Sequence, residues 1–555
     1  MPISFNAAVV QTLAVLGDLQ ANIGLVTASV QEAVRQDAKL IVFPECMNSG
    51  YLFDSAAHCR QLAEPVDGLF CQALAALCRQ HQVYIASGIT ELGDDGKIYN
   101  SGVLFDPTGA LICHYQKQFL ATHDQNWFEV GVKGNPWVDT ELGRLGLLIC
   151  FDGRIPEIAR CLAAQKVDVV IDMANFFAMD QAEMWVPARA YENGSWYVAA
   201  TKSGVERSIY YPGGSMIVDP QGRVQAKIPY DTHGVTTARI TVGAGDEKQW
   251  QFGGDKIADR RPDAYSLITQ PFNSTPLAAL LGEALIPEQS TVKLAAVQAH
   301  VSEQHSLDDA LAMVEHAALL GINVILLPAW FAAPHWRLNA AEARQLAAES
   351  ETITARIATL CQRYNIIVAL PTVSEQRGQL LPEIVLVGPQ GVIGRQAQVH
   401  ANPNTRAWAG VAEAGFTVFE TDFGRIGLLN DYDGMFPESS RVLALLGAEI
   451  ILWSCAWQQP NQRNLLAVTK AEDNRLFIVC ANRCDTPFPG GSFLIPPAGF
   501  PSWDVSHLLP PTTRWGAVTP MYANRALARQ KEMIPGVDMV RNRCTDSYGV
   551  LLVKP

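Results

Sequence analysis

Short apolar runs alternate along the chain with segments in which apolar residues recur at helical spacing. Residues 26–36 and 70–78 carry apolar side chains three and four positions apart, as in helices that bury one face. Short apolar or alternating runs, typical of buried strands, occupy 83–88, 101–105, 145–149 and 168–173. Strands mixed with amphipathic helices predict an α/β fold built from packed layers.

The pattern repeats with a period of about half the chain. AAVVQ at 7–11 returns as LAAVQ at 294–298. The longest match is GRLGLLICFDGRIPE at 143–157, which returns as GRIGLLNDYDGMFPE at 424–438. This period exceeds that of solenoid repeats and indicates that a whole domain has been duplicated.

The repeat and a change in composition predict the domain limits. Residues 271–290 carry three prolines around an apolar middle, which predicts a linker that contains a short helix. The sequence therefore predicts a first domain at 1–270 and a second at 291–555.

Composition excludes several functional classes. Of 555 residues, 48% are hydrophobic and 17% charged, as in a packed globular protein with more than one core. The net charge of −13 argues against nucleic acid or an anionic membrane as a partner. The first residues resemble a strand rather than a leader, and no apolar stretch has transmembrane length, so we expect a cytoplasmic protein. The twelve cysteines form no CxxC pair, and the sequence indicates no metal site and no cofactor.

Three residues suited to acyl-transfer chemistry stand at or just beyond predicted strands. Cys150 ends an apolar run and begins a turn into a helix that opens with Pro156 and an acid. Glu45 follows the apolar run 40–44, and Lys117 lies in an otherwise apolar and aromatic segment. Taken singly, they have ordinary alternatives as a buried thiol, a solvated acid and a surface lysine. Together they can attack a carbonyl carbon and stabilise the oxyanion that forms.

The motifs around these residues resemble those of the nitrilase superfamily of carbon–nitrogen hydrolases. They read FPE at 43–45, YQK at 115–117 and ICFDGRIPE at 149–157. Secondary motifs agree, namely AYEN at 190–193, GGS at 213–215 and RRP at 260–262. The resemblance covers the whole first half and implies an α-β-β-α sandwich, with two sheets face to face and helices outside. Combined with the repeat, it implies two such domains in tandem.

The resemblance also implies a mechanism. Glu45 would take the proton of Cys150, whose thiolate attacks an amide or related carbon to form a thioester acyl-enzyme. The oxyanion would lie between Lys117 and the backbone N–H of Phe151. Ammonia or an amine would leave, and water activated through Glu45 would hydrolyse the acyl-enzyme.

Superfamily members often carry a second carboxylate after the lysine. Counting back from Gly131 places Asp124 or Asn126 at that position, and Asp124 keeps the charge on a shorter side chain. Glu129 is an alternative at a different offset. We expect Asp124 to be the supporting carboxylate.

The residues after the thiol favour one substrate class. True nitrilases usually follow the cysteine with Trp-Glu, whereas FDGR at 151–154 resembles the amidase and carbamoylase type. This favours hydrolysis of a small amide or N-carbamoyl compound, with nitrile hydrolysis and acyl transfer by the same site as alternatives. The residues predicted to contact this small-molecule substrate are Tyr51, Asn175, Phe176 and Trp185. Arg154 either binds a substrate carboxylate or pairs with Asp152 or Glu157.

The second half keeps the scaffold but not the chemistry. At the positions of the base, the lysine and the thiol it has Ala329, Gln398 and Asp431, and Met435 replaces Arg154. Alanine cannot accept a proton, and aspartate is a poor substitute for a thiol. The sequence therefore predicts a degenerate, inactive second copy. A rival hypothesis is a non-catalytic regulatory or binding protein, against which the intact residues of the first half argue.

Domains of this superfamily commonly pair through a face close to the active site. The resemblance therefore implies that the halves pack as a pseudo-two-fold dimer in which the second half supports the loops around Cys150. A further homo-oligomer is a second expectation. The segment 496–533, rich in Pro and Trp and without an evident counterpart in the first half, is predicted to reach over the active cleft.

Overall fold

The structure is a computed structural model that describes residues 2–282, 290–485, 487–498 and 517–554. Internal contacts divide the chain into two compact units. Unit 1 comprises Met1–Gln249, Ile534–Val537 and Asn542–Leu551. Unit 2 comprises Trp250–Met533, Asp538–Arg541 and Leu552–Pro555.

Unit 1 contains strands and helices in the mixture that the sequence predicts. Its strands are β1 (Ile3–Gln11), β2 (Ala38–Val42), β3 (Tyr84–Leu92), β4 (Ile98–Phe105), β5 (Leu111–Gln116), β6 (Trp137–Thr140), β7 (Gly143–Leu148), β8 (Val169–Ala174), β9 (Trp196–Thr201), β10 (Ser203–Glu206), β11 (Ile209–Pro212), β12 (Met216–Val218), β13 (Val224–Lys227) and β14 (Gly234–Val242). Its helices are α1 (Leu19–Arg35), α2 (Ala56–Leu62), α3 (Leu69–His81), α4 (Asp124–Trp127), α5 (Pro156–Ala164) and α6 (Val186–Asn193).

Two mixed sheets form the centre of unit 1. Their strand orders are β14-β1-β2-β3-β4-β5 and β13-β12-β9-β8-β7-β6, and β10 and β11 form a separate hairpin. The sheets face each other through β1 against β9 and β3 against β8. Helices α1 and α3 cover the first sheet, and α5 and α6 cover the second. The predicted α-β-β-α sandwich is confirmed.

Local sequence explains where the first helix begins. The predicted helix 26–36 is confirmed as the C-terminal part of α1, whose buried face carries Asn22, Val26, Val30 and Ala33. The helix starts earlier than predicted because the Asp18 carboxylate accepts the Ala21 N–H at 3.0 Å and caps the first turn.

Unit 2 repeats this architecture. Its strands are β15 (Thr291–Val297), β16 (Val324–Leu326), β17 (Ile367–Gln376), β18 (Gln379–Gly388), β19 (Gly391–Ala397), β20 (Val418–Thr421), β21 (Gly424–Asn430), β22 (Ile450–Cys455), β23 (Phe477–Asn482), β24 (Phe493–Ile495) and β25 (Val518–Asn524). They form sheets in the orders β19-β18-β17-β16-β15-β25 and β20-β21-β22-β23-β24. Its helices are α7 (Pro276–Gly282), α8 (Leu307–Leu319), α9 (Ala340–Tyr364), α10 (Pro437–Leu445) and α11 (Val468–Asn474). Two short strands follow in the chain, β26 (Glu532–Ile534) and β27 (Val537–Asp538), and Ile534–Val537 belongs to unit 1.

Each unit contains a segment that the repeat assigns to the other half. In unit 1, the guanidinium of Arg543 lies 3.4 Å from the carboxylate of Glu157 in the first turn of α5. In unit 2, Arg260 pairs with Glu438 in the first turn of α10 at 2.8 Å. All four side chains are at most 3% exposed, and a buried carboxylate needs such a partner. The predicted domain limits follow the sequence repeat, at 1–270, 271–290 and 291–555. Internal contacts instead divide the chain after Gln249 and assign Ile534–Val537 and Asn542–Leu551 to unit 1.

The linker and the Pro- and Trp-rich segment have different outcomes. The short helix predicted within 271–290 is confirmed as α7. Within 496–533, residues 499–516 lie outside the described residues. The expectation that this segment has no counterpart in the first half is wrong for β25, which pairs antiparallel with β15 as β14 pairs with β1. Among the helices of the described residues, none combines the length and apolarity needed to cross a bilayer.

Candidate active site

The candidate nucleophile lies on a tight turn at the carboxyl end of β7. Cys150 begins a short 3-10 turn and has a φ of 52°, which a residue with a side chain adopts only when its surroundings enforce it. Its N–H donates to Asp172 Oδ1 at 2.9 Å, and its carbonyl accepts from Gln181 Nε2 at 2.5 Å. The predicted oxyanion donor, the Phe151 N–H, bonds no acceptor within the described residues. The turn therefore holds the thiol in place and leaves a backbone donor beside it.

A buried aspartate next to the nucleophile fastens this turn. The carboxylate of Asp152 accepts the N–H of Ile149 at 3.2 Å, the N–H of Phe119 at 2.9 Å and the hydroxyl of Tyr115 at 2.7 Å. Burial raises the pKa of Asp152 to about 7, although these donors and the charge of Lys117 lower it. Asp152 thus ties the nucleophile turn to the segment that carries the candidate lysine.

The candidate base and cation meet in the interior. Glu45 follows β2, Lys117 follows β5 and Asp124 opens α4. The Lys117 ammonium lies 2.8 Å from a carboxylate oxygen of Glu45 and 2.8 Å from one of Asp124, and all three side chains are at most 2% exposed. The structure thus places Asp124 on the lysine, whereas Asn126 and Glu129 are exposed. Glu45 and Lys117, far apart in sequence, converge because β2 and β5 run in the same direction and end at the same edge of one sheet.

An asparagine that sequence reasoning missed joins the two carboxylates. The side-chain amide of Asn100, on β4, donates to Glu45 Oε1 at 2.5 Å and to Asp124 Oδ1 at 3.3 Å. The hydroxyl of Tyr51 also donates to Asp124 Oδ1, at 2.9 Å. Tyr51, predicted to contact substrate, is thus engaged in positioning a carboxylate. The sequence offered one sign of Asn100, an amide side chain within the largely apolar run of β4.

Burial and neighbouring charges shift the pKa values of Glu45, Lys117 and Cys150. Burial raises the pKa of Glu45 above its usual range, against the opposing charge of Lys117. Burial alone would lower the pKa of Lys117, but the carboxylates of Asp124 and Glu45 outweigh it and raise that pKa. Burial and then the charge of Glu45 raise the pKa of the Cys150 thiol. Burial and the charge of Glu45 thus both favour the neutral thiol form of Cys150.

The end of β8 supplies groups close to the sulfur. The backbone N–H of Asn175 is near enough to the Cys150 thiol to oppose the increase in its pKa. The Asn175 side chain is fully buried, and neither of its amide atoms finds a partner among the described residues. Phe176 is buried, and its N–H donates to Thr201 Oγ1 at 2.9 Å. Of the predicted substrate contacts, Asn175 is thus the one whose polar atoms are available next to the thiol.

The other predicted contacts are engaged in packing. Trp185 is 1% exposed, and its ring packs 4.4 Å from the guanidinium carbon of Arg154. Arg154 pairs with Asp180 at 2.7 Å, an acid that the sequence analysis did not name as its partner. The pairing expected with Asp152 or Glu157 stays a prediction.

A second buried ion pair and a tyrosine, which sequence reasoning also missed, lie beside the catalytic groups. Lys202 pairs with Glu206 at 2.5 Å, and its ammonium sits 4.1 Å from the ring centre of Tyr211. The Tyr211 hydroxyl is buried and has no partner among the described residues. Burial and then the charge of Glu206 raise its pKa, so it stays a neutral hydroxyl. Its signal was a tyrosine two residues before the GGS motif at 213–215, and the residue lies in β11.

The corresponding place in unit 2 keeps the backbone and changes the side chains. The Ala329 N–H lies 3.3 Å from the Cys455 carbonyl, as the Glu45 N–H lies 3.4 Å from that of Ala174. Asp431, like Cys150, has a positive φ, here 37°, and its carboxylate accepts from the Ala456 N–H at 2.9 Å and from Asn402 Nδ2 at 3.0 Å.

Asp431 and its neighbours form a stable polar cluster. Burial raises the pKa of Asp431 to about 6. Gln398, at the position of the lysine, donates to the His400 carbonyl at 2.6 Å, and Trp453 donates to the Asp431 carbonyl at 2.8 Å. These positions therefore hold neither a thiol nor a charged pair of base and lysine.

Both halves of the chain are similar to known proteins. The family model described as carbon-nitrogen hydrolase matches residues 6–247 and 293–502. A nitrilase of Pyrococcus abyssi is 32% identical over 237 residues, which span 42% of this chain and 89% of that protein. An (R)-stereoselective amidase of a Pseudomonas species is 35% identical over 193 residues, which span 34% of this chain and 68% of that protein. The crystal structure of an amidase from Nesterenkonia sp. covers 47% of this chain and 94% of its own, at 23% identity and a TM-score of 0.40.

Proposed function

We propose that unit 1 hydrolyses a small amide or N-carbamoyl compound. The premise is that the chain belongs to the carbon–nitrogen hydrolase family, in two tandem copies. The protein is an enzyme of the carbon–nitrogen hydrolase type. The observation that carries the proposal is the buried Lys117 ammonium, 2.8 Å from both Glu45 and Asp124, beside the Cys150 turn. The residues in this site suit acyl transfer through a thioester.

The reaction begins with attack by sulfur. Glu45 accepts the thiol proton while Cys150 Sγ bonds to the carbonyl carbon. The carbonyl oxygen becomes an oxyanion that accepts from the Lys117 ammonium and from the free Phe151 N–H. Asp124 and Asn100 hold Lys117 and Glu45 in place, so these groups need no rearrangement as charge develops.

Collapse of this intermediate breaks the carbon–nitrogen bond. The proton held by Glu45 passes to the leaving nitrogen, which departs as ammonia or an amine, and Cys150 keeps the acyl group. Glu45, again a carboxylate, takes a proton from water, whose oxygen attacks the thioester. The acid leaves, and the returned proton restores the thiol.

The substrate class is inferred from the motif and from the unpaired polar groups near the sulfur. FDGR after Cys150 resembles the amidase and carbamoylase type rather than the Trp-Glu of true nitrilases. The unpartnered amide of Asn175 and hydroxyl of Tyr211 suit a substrate with hydrogen-bonding groups close to the scissile carbon. Nitrile hydrolysis and acyl transfer remain alternatives, since both would pass through the same cysteine.

Trapping the covalent intermediate tests this proposal. We expect rapid acid quenching with small amides and N-carbamoyl compounds to show an added acyl or carbamoyl mass on the intact protein. Nitriles in parallel should add no mass. The added mass should vanish in Cys150→Ala and persist in Cys46→Ala, which removes the neighbouring thiol. A mass that maps to any other residue, or adducts from nitriles alone, would contradict the assignment.

We further propose that the second copy is catalytically inactive and pairs with the first as a pseudo-two-fold dimer. Ala329, Gln398 and Asp431 support the loss of activity. The exchange of terminal segments supports the pairing, since unit 1 includes Asn542–Leu551 from the second half.

Truncation tests the pairing. Residues 1–275 expressed alone should aggregate or lose activity, and added residues 276–555 should restore it. Because the fragment also lacks Arg543, the partner of Glu157, full-length Arg543→Ala is the matched control. Breaking a buried pair costs about 3–5 kcal/mol, so this control should be less stable but active at low temperature. A soluble, monomeric fragment with full activity would refute the pairing.

A further inference from the structure

A buried aspartate lies beside the nucleophile turn and takes no part in the proposed proton transfers. Asp172, on β8, is 1% exposed, and its Oδ1 accepts the Cys150 N–H at 2.9 Å. Among the described residues this N–H is the one donor to the carboxyl group. The bond fixes the first residue of the turn, whose φ of 52° a residue with a side chain rarely adopts. Asp172 therefore helps to hold the nucleophile in place.

The second oxygen of this carboxyl group is enclosed. Asp172 Oδ2 is buried and has no donor among the residues that the structure describes. A Cβ placed on Gly153 would lie 3.8 Å from Oδ2, so this oxygen is close to the turn itself. The carboxylate of Asp152, by contrast, accepts two N–H groups and a hydroxyl. A buried carboxylate with a single donor is costly, and such a group becomes neutral by binding a proton.

The charges around Asp172 also favour its neutral form. Asp152 and Glu45 are themselves acids, and the Lys117 ammonium already lies 2.8 Å from each of two carboxylates. Burial raises the pKa of Asp172 well above its usual range. Its one N–H donor lowers that pKa, whereas the charges of the two acids raise it again against the opposing charge of the lysine.

Two polar side chains on neighbouring elements also leave Asp172 Oδ2 without a bond. Arg189, on α6, donates to two carbonyls of the nucleophile turn and to the Glu192 carboxylate. Tyr197, on β9, has a buried hydroxyl without a partner in the described part of the chain, and burial raises its pKa. The guanidinium is thus bound at other acceptors, and the hydroxyl is neutral.

Unit 2 has an uncharged residue at the corresponding position. Trp453 occupies the register position in β22 that Asp172 occupies in β8. Its indole N–H donates to the carbonyl of Asp431 at 2.8 Å. Where the nucleophile position holds an acid, the neighbouring strand therefore holds no second acid. This agrees with the rule that adjacent carboxylates disfavour each other's ionisation.

We propose that Asp172 is a neutral carboxylic acid in the working enzyme and that it positions Cys150 for the proposed hydrolysis. The neutral acid holds the Cys150 N–H without placing a second negative charge beside the sulfur. Burial and then Glu45 raise the pKa of the thiol, and an ionised Asp172 would raise it further. The positioning role rests on the proposed function, whereas the protonation of Asp172 can be measured without it.

Infrared spectroscopy of the full-length protein measures that protonation. With the aspartate carboxyl carbons isotopically labelled, we expect the band of a protonated carboxyl group at about pH 9, where exposed aspartates are ionised. Asp152 and Asp431, with pKa values of about 7 and about 6, are also ionised there. The band should vanish in Asp172→Asn and persist in Asp67→Asn, which removes an exposed acid. Absence of this band from the wild type would overturn the proposal, even if no variant folds.

Alkylation of Cys150 by iodoacetamide measures the effect on the thiol. Labelling of Cys150→Ala gives the background from other thiols. We expect Asp172→Asn to keep the wild-type pH profile, because asparagine is neutral and keeps the acceptor oxygen. If Asp172 were ionised, its loss would move the profile to lower pH, because a negative charge beside the thiol would be gone. Such a shift would contradict the proposal.

A third variant separates the acceptor from the charge. Asp172→Leu is neutral but cannot accept the Cys150 N–H, so its kcat should be at least roughly tenfold lower than that of Asp172→Asn. Thermal unfolding checks that both variants fold. Equal losses of kcat in two folded variants would refute the positioning role. The infrared and alkylation measurements need no substrate, so absence of turnover on every amide would refute the proposed function and not the protonation of Asp172.

Discussion

Cys150→Ala will abolish turnover and leave the fold intact. The substitution removes the only atom positioned to bond to the acyl carbon in this scheme, while the turn itself is held by backbone contacts. The Cys150 N–H to Asp172 and the Cys150 carbonyl to Gln181 bonds do not involve the side chain. Any turnover that remains should come only from substrate binding and oxyanion stabilisation, because the nucleophile is gone. The measurement is turnover on the substrate found by acyl trapping, with thermal unfolding as the check on folding.

The same variant decides whether unit 2 contributes chemistry. With Cys150 removed, the remnant at Asp431 is the other candidate, and it lacks the base and the lysine that a hydrolase needs. Asp431→Asn in an otherwise wild-type chain is the matched control and should keep activity within about twofold. Near-normal turnover by Cys150→Ala would overturn the assignment of unit 1.

Glu45→Gln and Lys117→Ala will each lose most of the activity, for different reasons. The glutamine keeps the shape of Glu45 but cannot accept the thiol proton, and general acid–base catalysis contributes about 10²–10⁴-fold. Lys117→Ala removes an oxyanion donor, which typically costs about 10²–10³-fold. Losses below roughly tenfold in both variants would mean that other residues carry these roles.

The pH profile distinguishes the two variants. Glu45 acts as a base only when it is unprotonated, and burial raises its pKa above the usual 4.5. Activity in the wild type should therefore fall as the pH is lowered through a pKa higher than that of an exposed glutamate. Lys117→Ala should raise this pKa further, because the lysine charge opposes the shift. Glu45→Gln should lose this acid limb, and an unchanged limb would assign it to another group.

The fold could be predicted from the sequence because its signals are local. Helix α1 and the strands that end at Glu45 and Cys150 follow from apolar spacing and from caps within a few residues. The duplication also appears in linear order, since 143–157 and 424–438 align without gaps. Strand ends that carry Glu45, Lys117 and Cys150 were recognisable for the same reason.

The pairings could not be predicted, because they join residues whose separation in sequence says little about distance. Only the register of the sheets shows that Asn100 reaches Glu45, and only the turn before α4 places Asp124 rather than Glu129 on Lys117. Arg154 has acids close in sequence, yet the structure also pairs it with Asp180, 26 residues further along the chain.

The amino-acid sequence by itself indicated α/β layers, the duplication and the candidates Glu45, Lys117 and Cys150, since each is encoded in short contiguous motifs. The resemblance to a family, carried by the same motifs, implied the sandwich. The tertiary structure alone decided which buried charges meet. Glu157 finds its counter-ion in Arg543 and Glu438 finds its own in Arg260, each from the opposite half of the repeat. The physical reason is that a buried charge must be paired wherever the folded chain offers a partner, whatever the distance along the sequence.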